Sequence, residues 1–92
     1  MKKTFYYIGS NNQTKKLELK KIENILTKHF EGFTAFEVIG YWKGIKEKTL
    51  KVEVISDLSD SELSNIGKEL KIKLNQESVL MEIVESNFAF IQ

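Results

Sequence analysis

Apolar residues in this chain change their spacing with position, and the order of those changes leaves few folds open. Thr4 to Ile8 is rich in aromatic and β-branched residues and stops at Gly9, as a strand would. From Lys16 to Phe30 the period becomes helical. Leu19, Ile22, Ile25, Leu26 and Phe30 recur on one face with charges between them, Thr14 is placed to cap the start, and Gly32 follows the end. "FTAFEVIGYWKG" reads as a second strand and "KTLKVEVIS" as a third, in which Leu50, Val52 and Val54 alternate with Lys51 and Glu53. The link from Lys43 to Lys46, with Gly44, is short enough to make these two a hairpin. A second helix follows in "SDSELSNIGKELKIKLNQ": Ser59 and Glu62 have capping-box spacing, and Leu63, Ile66, Leu70 and Leu74 form one stripe. "SVLMEIVESNFAFI" reads as a last strand that breaks at Ser86–Asn87, with a short apolar tail.

The order β-α-β-β-α-β is the split βαβ, or ferredoxin-like, arrangement: an α+β fold with two helices on one face of a four-stranded antiparallel sheet. No linker, repeat or low-complexity stretch interrupts the chain, so residues 1–92 are expected to form a single domain.

Alternation assigns the two sheet faces. Tyr6, Ile8, Leu50, Val52, Val54, Val79, Met81 and Ile83 are expected to face the helices. Phe5, Tyr7, Lys51, Glu53, Ile55, Leu80, Glu82 and Val84 are expected on the outer face, joined from the second strand by Glu37, Ile39 and Tyr41. That outer face is half apolar, more than a solvated face needs, so either a second copy of the chain or a ligand is expected to cover it, a homo-oligomer being the favoured of the two.

Charge narrows the function. Fourteen basic residues face thirteen acidic ones for a net charge of +1, so no bulk field draws the chain to nucleic acid or anionic membrane. All the basic residues are lysine, which lacks the bidentate fork of arginine. "YYIG" resembles the first strand of RNA-recognition domains, with Tyr7 as its exposed ring, but "KTLKVEVI" lacks the aromatic and glycine of their third strand. RNA is therefore not the expected partner. The chain has no cysteine, and one histidine, His29, cannot complete a ligand set or triad. The start "MKKTFYYIGS" has too short an apolar run for a signal peptide, and no stretch approaches a membrane span, so a cytoplasmic location is expected.

Two segments could hold a ligand. Trp42 sits at the hairpin tip beside Lys43 and Glu47, with Gly40 and Gly44 on either side to let a ligand approach the backbone. A lone tryptophan in a small domain is more often core or interface; as a functional group it would stack on a planar ligand. The loop "GSNNQT", with Ser10, Asn11 and Asn12 next to Lys15 and Lys16, could form an anion pocket at a helix start, although it lacks the spacing of a phosphate loop and a plain capped loop is the commoner role. Glu37, Glu53 and Glu82 read as cross-strand charge pairs, and Gln76–Glu77 as a solvated helix end. No nucleophile–base pair is concentrated anywhere, which favours a binding protein over an enzyme.

Gly32, Thr34, Gly40, Trp42, Glu47, Thr49, Gln76, Ser78 and Val79 together resemble a family of short bacterial and phage domains. Those domains share a Gly-x-Thr segment, a Gly-x-Trp strand end, a Glu-x-Ser/Thr pair and a Gln-x-Ser-Val start to the last strand; here Lys43 stands where the family tends to have arginine. The resemblance implies that Trp42, Glu47 and Gln76 meet at one end of the sheet. The expectation is a small non-enzymatic protein, without cofactor, that binds or sequesters an anionic nucleotide-like ligand, as a phage counter-defence sponge would. Tyr7 or Trp42 would stack the base, Lys43, Ser10, Asn11 and Asn12 would hold phosphate or ribose, and Glu47 and Gln76 would orient it. The competing expectation is an interaction module that binds a host or phage protein through the outer sheet face and Trp42.

Overall fold

The computed structural model describes residues 1–85, 87 and 89–91. Its elements are β1 (Lys2–Ile8), α1 (Leu19–His29), β2 (Thr34–Trp42), β3 (Ile45–Ser56), α2 (Asp60–Lys73) and β4 (Leu80–Val84). All neighbouring strands are antiparallel in the order β2-β3-β1-β4, the ferredoxin-like topology. The break expected at Ser86–Asn87 involves Ser86, which lies outside the described residues; β4 itself ends at Val84. Among the described residues no helix is long and apolar enough to cross a membrane.

The core lies between the helices and one face of the sheet. Tyr6, Ile8, Leu50, Val52 and Val54 from the central strands meet Ile22, Ile25 and Leu26 of α1 and Leu63, Ile66 and Leu70 of α2, all buried. Tyr6 brings a hydroxyl into this core and satisfies it by donating to the Leu63 carbonyl at 2.6 Å.

The helix ends follow local chemistry. Ser59 and Glu62 form the expected capping box on α2: the Glu62 amide donates to Ser59 Oγ at 3.1 Å and the Ser59 amide to Glu62 Oε1 at 3.2 Å. At the other end Asn75 takes φ +54°, its amide donates to the Ile72 carbonyl, and the Gln76 amide donates to the Lys71 carbonyl. This is a Schellman closure, with asparagine accepting the left-handed position. Thr14 does not cap α1, which begins five residues later at Leu19. Asn11 instead closes the loop, its Oδ1 accepting from the amides of Gln13 (2.8 Å) and Thr14 (3.1 Å).

The expected sheet faces hold in β1 and β3 and fail in β2. Phe36 lies opposite Lys51, Gly40 opposite Glu47 and Trp42 opposite Ile45, so Thr34, Phe36, Val38, Gly40 and Trp42 share the outer face. Glu37, Ile39 and Tyr41 belong to the helix side, near the hairpin tip, where Ile39 and Tyr41 stay exposed. β2 carries apolar residues at consecutive positions, so alternation could not fix its register, and a shift of one residue exchanges the two faces.

Candidate functional site

The sheet order sets β2 and β4 at opposite edges, with β3 and β1 between them. On the outer face, at the end where the β2–β3 hairpin projects, a cleft of about 670 Å³ opens, within the range of small-molecule sites. Tyr7 and Gly9 at the end of β1 and Glu47 and Thr49 of β3 form its floor. Val38, Gly40 and Trp42 of β2 line one side, and Gln76, Glu77 and the residues leading into β4 line the other.

Two glycines make room for this floor. A Cβ on Gly9 would stand 2.6 Å from Glu47 Oε1, so the carboxylate lies directly against the bare backbone just past β1. A Cβ on Gly40 would collide with Thr49 Oγ1, a buried side chain on the neighbouring strand. Glu47 is half-buried and has no ion pair or side-chain hydrogen bond among the described residues.

The hairpin tip is built to reach across. Lys43 and Gly44 adopt φ of +51° and +77°, the left-handed pair of a two-residue hairpin turn. Successive strand residues normally point to opposite faces, but the left-handed Lys43 breaks that alternation. Trp42 and Lys43 therefore both reach Glu77: the indole Nε1 donates to Oε2 at 2.6 Å and Lys43 Nζ to Oε1 at 2.8 Å. Lys43, and then the indole N–H, hold the Glu77 carboxyl below its ordinary range.

Of the residues singled out in the sequence, Tyr7, Asn12, Trp42, Glu47 and Gln76 come together around the cleft. Gln76 does so by tying backbone, its Nε2 donating to the Ser10 carbonyl at 2.8 Å. Ser10 and Asn11 do not line the cleft. Ser10 is buried with its hydroxyl donating to the Lys48 carbonyl at 2.9 Å, and the Asn11 side chain is spent on its own loop and on Glu18 (2.6 Å). Lys43 stands at the rim, paired with Glu77. Glu77 itself was not legible in advance: a polar pair after a helix reads as solvated, and only the Schellman turn at Asn75 directs it back over the sheet.

The charge of the lining is also clear. It contains two carboxylates, Glu47 and Glu77, and no lysine or histidine. Farther along the outer face Lys51 lies over the rings of Phe5 (4.7 Å), Tyr7 (5.5 Å) and Phe36 (5.7 Å) and covers them with its own stem. Among the described residues no cluster of side chains is suited to a metal ion.

No protein-family model matches the chain, and no curated protein is matched. Solved structures are matched. A phage SAM lyase in its apo state superposes with a TM-score of 0.60 at 21% identity, over 90% of this chain and 78% of the lyase chain. A phage SAM lyase in complex with S-methyl-5'-thioadenosine gives 0.59 at 21% identity, over 91% and 80%. At that identity the likeness is one of fold.

Proposed function

We propose that the cleft binds S-adenosylmethionine and releases S-methyl-5'-thioadenosine; its structural neighbours are named as SAM lyases, one of them in complex with S-methyl-5'-thioadenosine. The observation that carries this reading is Glu47, a carboxylate on the cleft floor without an ion pair among the described residues, with Tyr7 and Trp42 among the other lining residues; the lining itself holds no lysine or histidine, Lys43 being paired with Glu77 at the rim and Lys51 lying over the Tyr7 ring. A phosphate would meet the free Glu47 carboxylate on the floor, which favours a ligand with a cationic group over the anionic one expected from the sequence. A sulfonium is attracted to aromatic faces, and adenine stacks on the same kind of ring.

The reaction asks for little protein chemistry. The α-carboxylate of the ligand attacks its own γ-carbon, the C–S bond breaks with its electron pair going to sulfur, and the products are a neutral thioether and a lactone. No water, proton or oxidant enters. The missing nucleophile–base pair is thus no obstacle, and the protein's part is to fold the substrate into the attacking geometry. Glu47 fits the α-ammonium better than the sulfonium. A carboxylate held on the sulfonium would stabilise a charge that vanishes in the transition state and so would slow the step.

Incubation with S-adenosylmethionine, followed by chromatography of the nucleosides, tests the reading. Methylthioadenosine should accumulate with many turnovers, and Glu47→Gln should abolish it. Tight binding without product would leave the sequestering role expected from the sequence, since either outcome withdraws the compound from a host cell. No binding at millimolar S-adenosylmethionine would sink both. Self-association belongs to the same proposal, supported by exposed Ile39, Tyr41 and Ile45 on the hairpin, and sedimentation measures it directly.

A further inference from the structure

Glu77 is the only described residue that links the hairpin tip to the segment entering β4 by side-chain hydrogen bonds. These two segments belong to opposite edges of the sheet. Three strand spacings, about 14 Å of sheet, separate those edges, and the cleft floor lies between them. The Trp42–Glu77–Lys43 bridge therefore spans the cleft at its hairpin end. We infer that Glu77 is a positioning residue: it holds the Trp42 ring over the floor and acts as a latch that must open for ligand to enter or leave. The ligand part of this inference rests on the function proposed above; the closure of the hairpin does not.

Three features fit a latch better than a fixed brace. The donors sit at the tip of the β2–β3 hairpin and the acceptor on the connection between α2 and β4, all three outside the buried core. The bridge is more than half exposed on both the Lys43 and Glu77 side chains (67% and 52%), where ion pairs are individually weak and exchange readily with water. The acceptor is anchored at its base rather than its tip. The Schellman turn at Asn75 and the Gln76–Ser10 bond fix where Glu77 starts, and its two carboxylate oxygens are then divided between the two donors. Lys43 also lies 5.9 Å from the Trp42 ring centre, so the cation braces the indole from the rim side.

Trp42 is the chain's single tryptophan, so its emission reports the latch without a label. The test uses Glu77→Ala, which removes both bonds, Glu77→Gln, which keeps an acceptor for the indole and loses the ion pair, and Lys43→Met, which acts from the opposite side. Melting curves and far-ultraviolet spectra check that each variant is folded. In ligand-free protein Glu77→Ala should red-shift Trp42, raise its quenching by acrylamide, and speed hydrogen exchange about fivefold in residues 40–46 and 76–80 together. Glu77→Gln and Lys43→Met should fall between it and the parent. With methylthioadenosine as probe, release from Glu77→Ala should be about tenfold faster, the equivalent of one charge-assisted hydrogen bond. Unchanged emission and exchange in Glu77→Ala would overturn the latch. Faster exchange with unchanged release would overturn its role in ligand passage and leave the proposed function standing. If the parent protein binds no methylthioadenosine, the proposed ligand fails, while coupled exchange at both edges still upholds the closure.

Discussion

The carboxylate of Glu47 lies against Gly9, with Oε1 2.6 Å and Oε2 2.8 Å from where a Cβ on that residue would be. The residue that follows β1 and an acid on β3 thus share one space, available only because Gly9 has no side chain. Gly9→Ala should push Glu47 away rather than distort the sheet, since a carboxylate on a flexible stem yields more easily than backbone. The variant should melt within a few degrees of the parent and, on the proposed function, bind S-adenosylmethionine at least about tenfold more weakly, as calorimetry and thermal melts would show.

Gly40 behaves differently, because its neighbour cannot yield as easily. Thr49 is buried and β-branched, and its Oγ1 occupies the place of a Gly40 Cβ. Gly40→Ala should cost about 1–3 kcal/mol from overpacking. Adding Thr49→Ala should recover part of that loss, and denaturant unfolding of the four proteins of the cycle measures the coupling.

Tyr6 predicts the alkaline limit of stability. Burial pushes its hydroxyl well above the usual tyrosine range. A group whose folded pKa is raised contributes stability that is complete below the unfolded value and is lost as pH rises past it. Stability should therefore decline from about pH 10 upward. Tyr6→Phe should lose about 1 kcal/mol at neutral pH with the Leu63 bond, and its alkaline arm should be flatter in urea midpoints taken across that range.

Glu69 sets the acid limit. Lys73, His29 and Lys28 surround its carboxylate at 2.7, 2.8 and 3.1 Å and draw its pKa down to about 2. The sign is opposite to that of Tyr6: a depressed acid stabilises above its unfolded value and loses that stability as pH falls toward the folded one. Between pH about 4.5 and about 2 the parent should lose about 1–2 kcal/mol relative to Glu69→Gln, after allowance for solvent screening. Midpoints of unfolding for the two proteins should converge across that window.

The sequence alone determined the element order, the ferredoxin-like topology, the α2 capping box and the helix-facing residues of β1 and β3. Each is written locally, as a period, a spacing or a cap. It also pointed to part of the cleft: Trp42 and Glu47 stood out beside the hairpin glycines and Tyr7 as an exposed ring, whereas Gln76 joined them only through the resemblance to short bacterial and phage domains. Tertiary structure alone decided the register of β2, whose consecutive apolar residues fit either face until Lys51, Glu47 and Ile45 on β3 fixed them. It decided that Ser10 and Asn11 are spent on structure, and that Glu77 receives both Trp42 and Lys43. It also decided the charge of the cleft, because pairing Lys43 with Glu77 leaves Glu47 without an ion pair among the described residues. Such choices depend on which strands become neighbours and which side chains then compete for the same partner, and no local spacing records that.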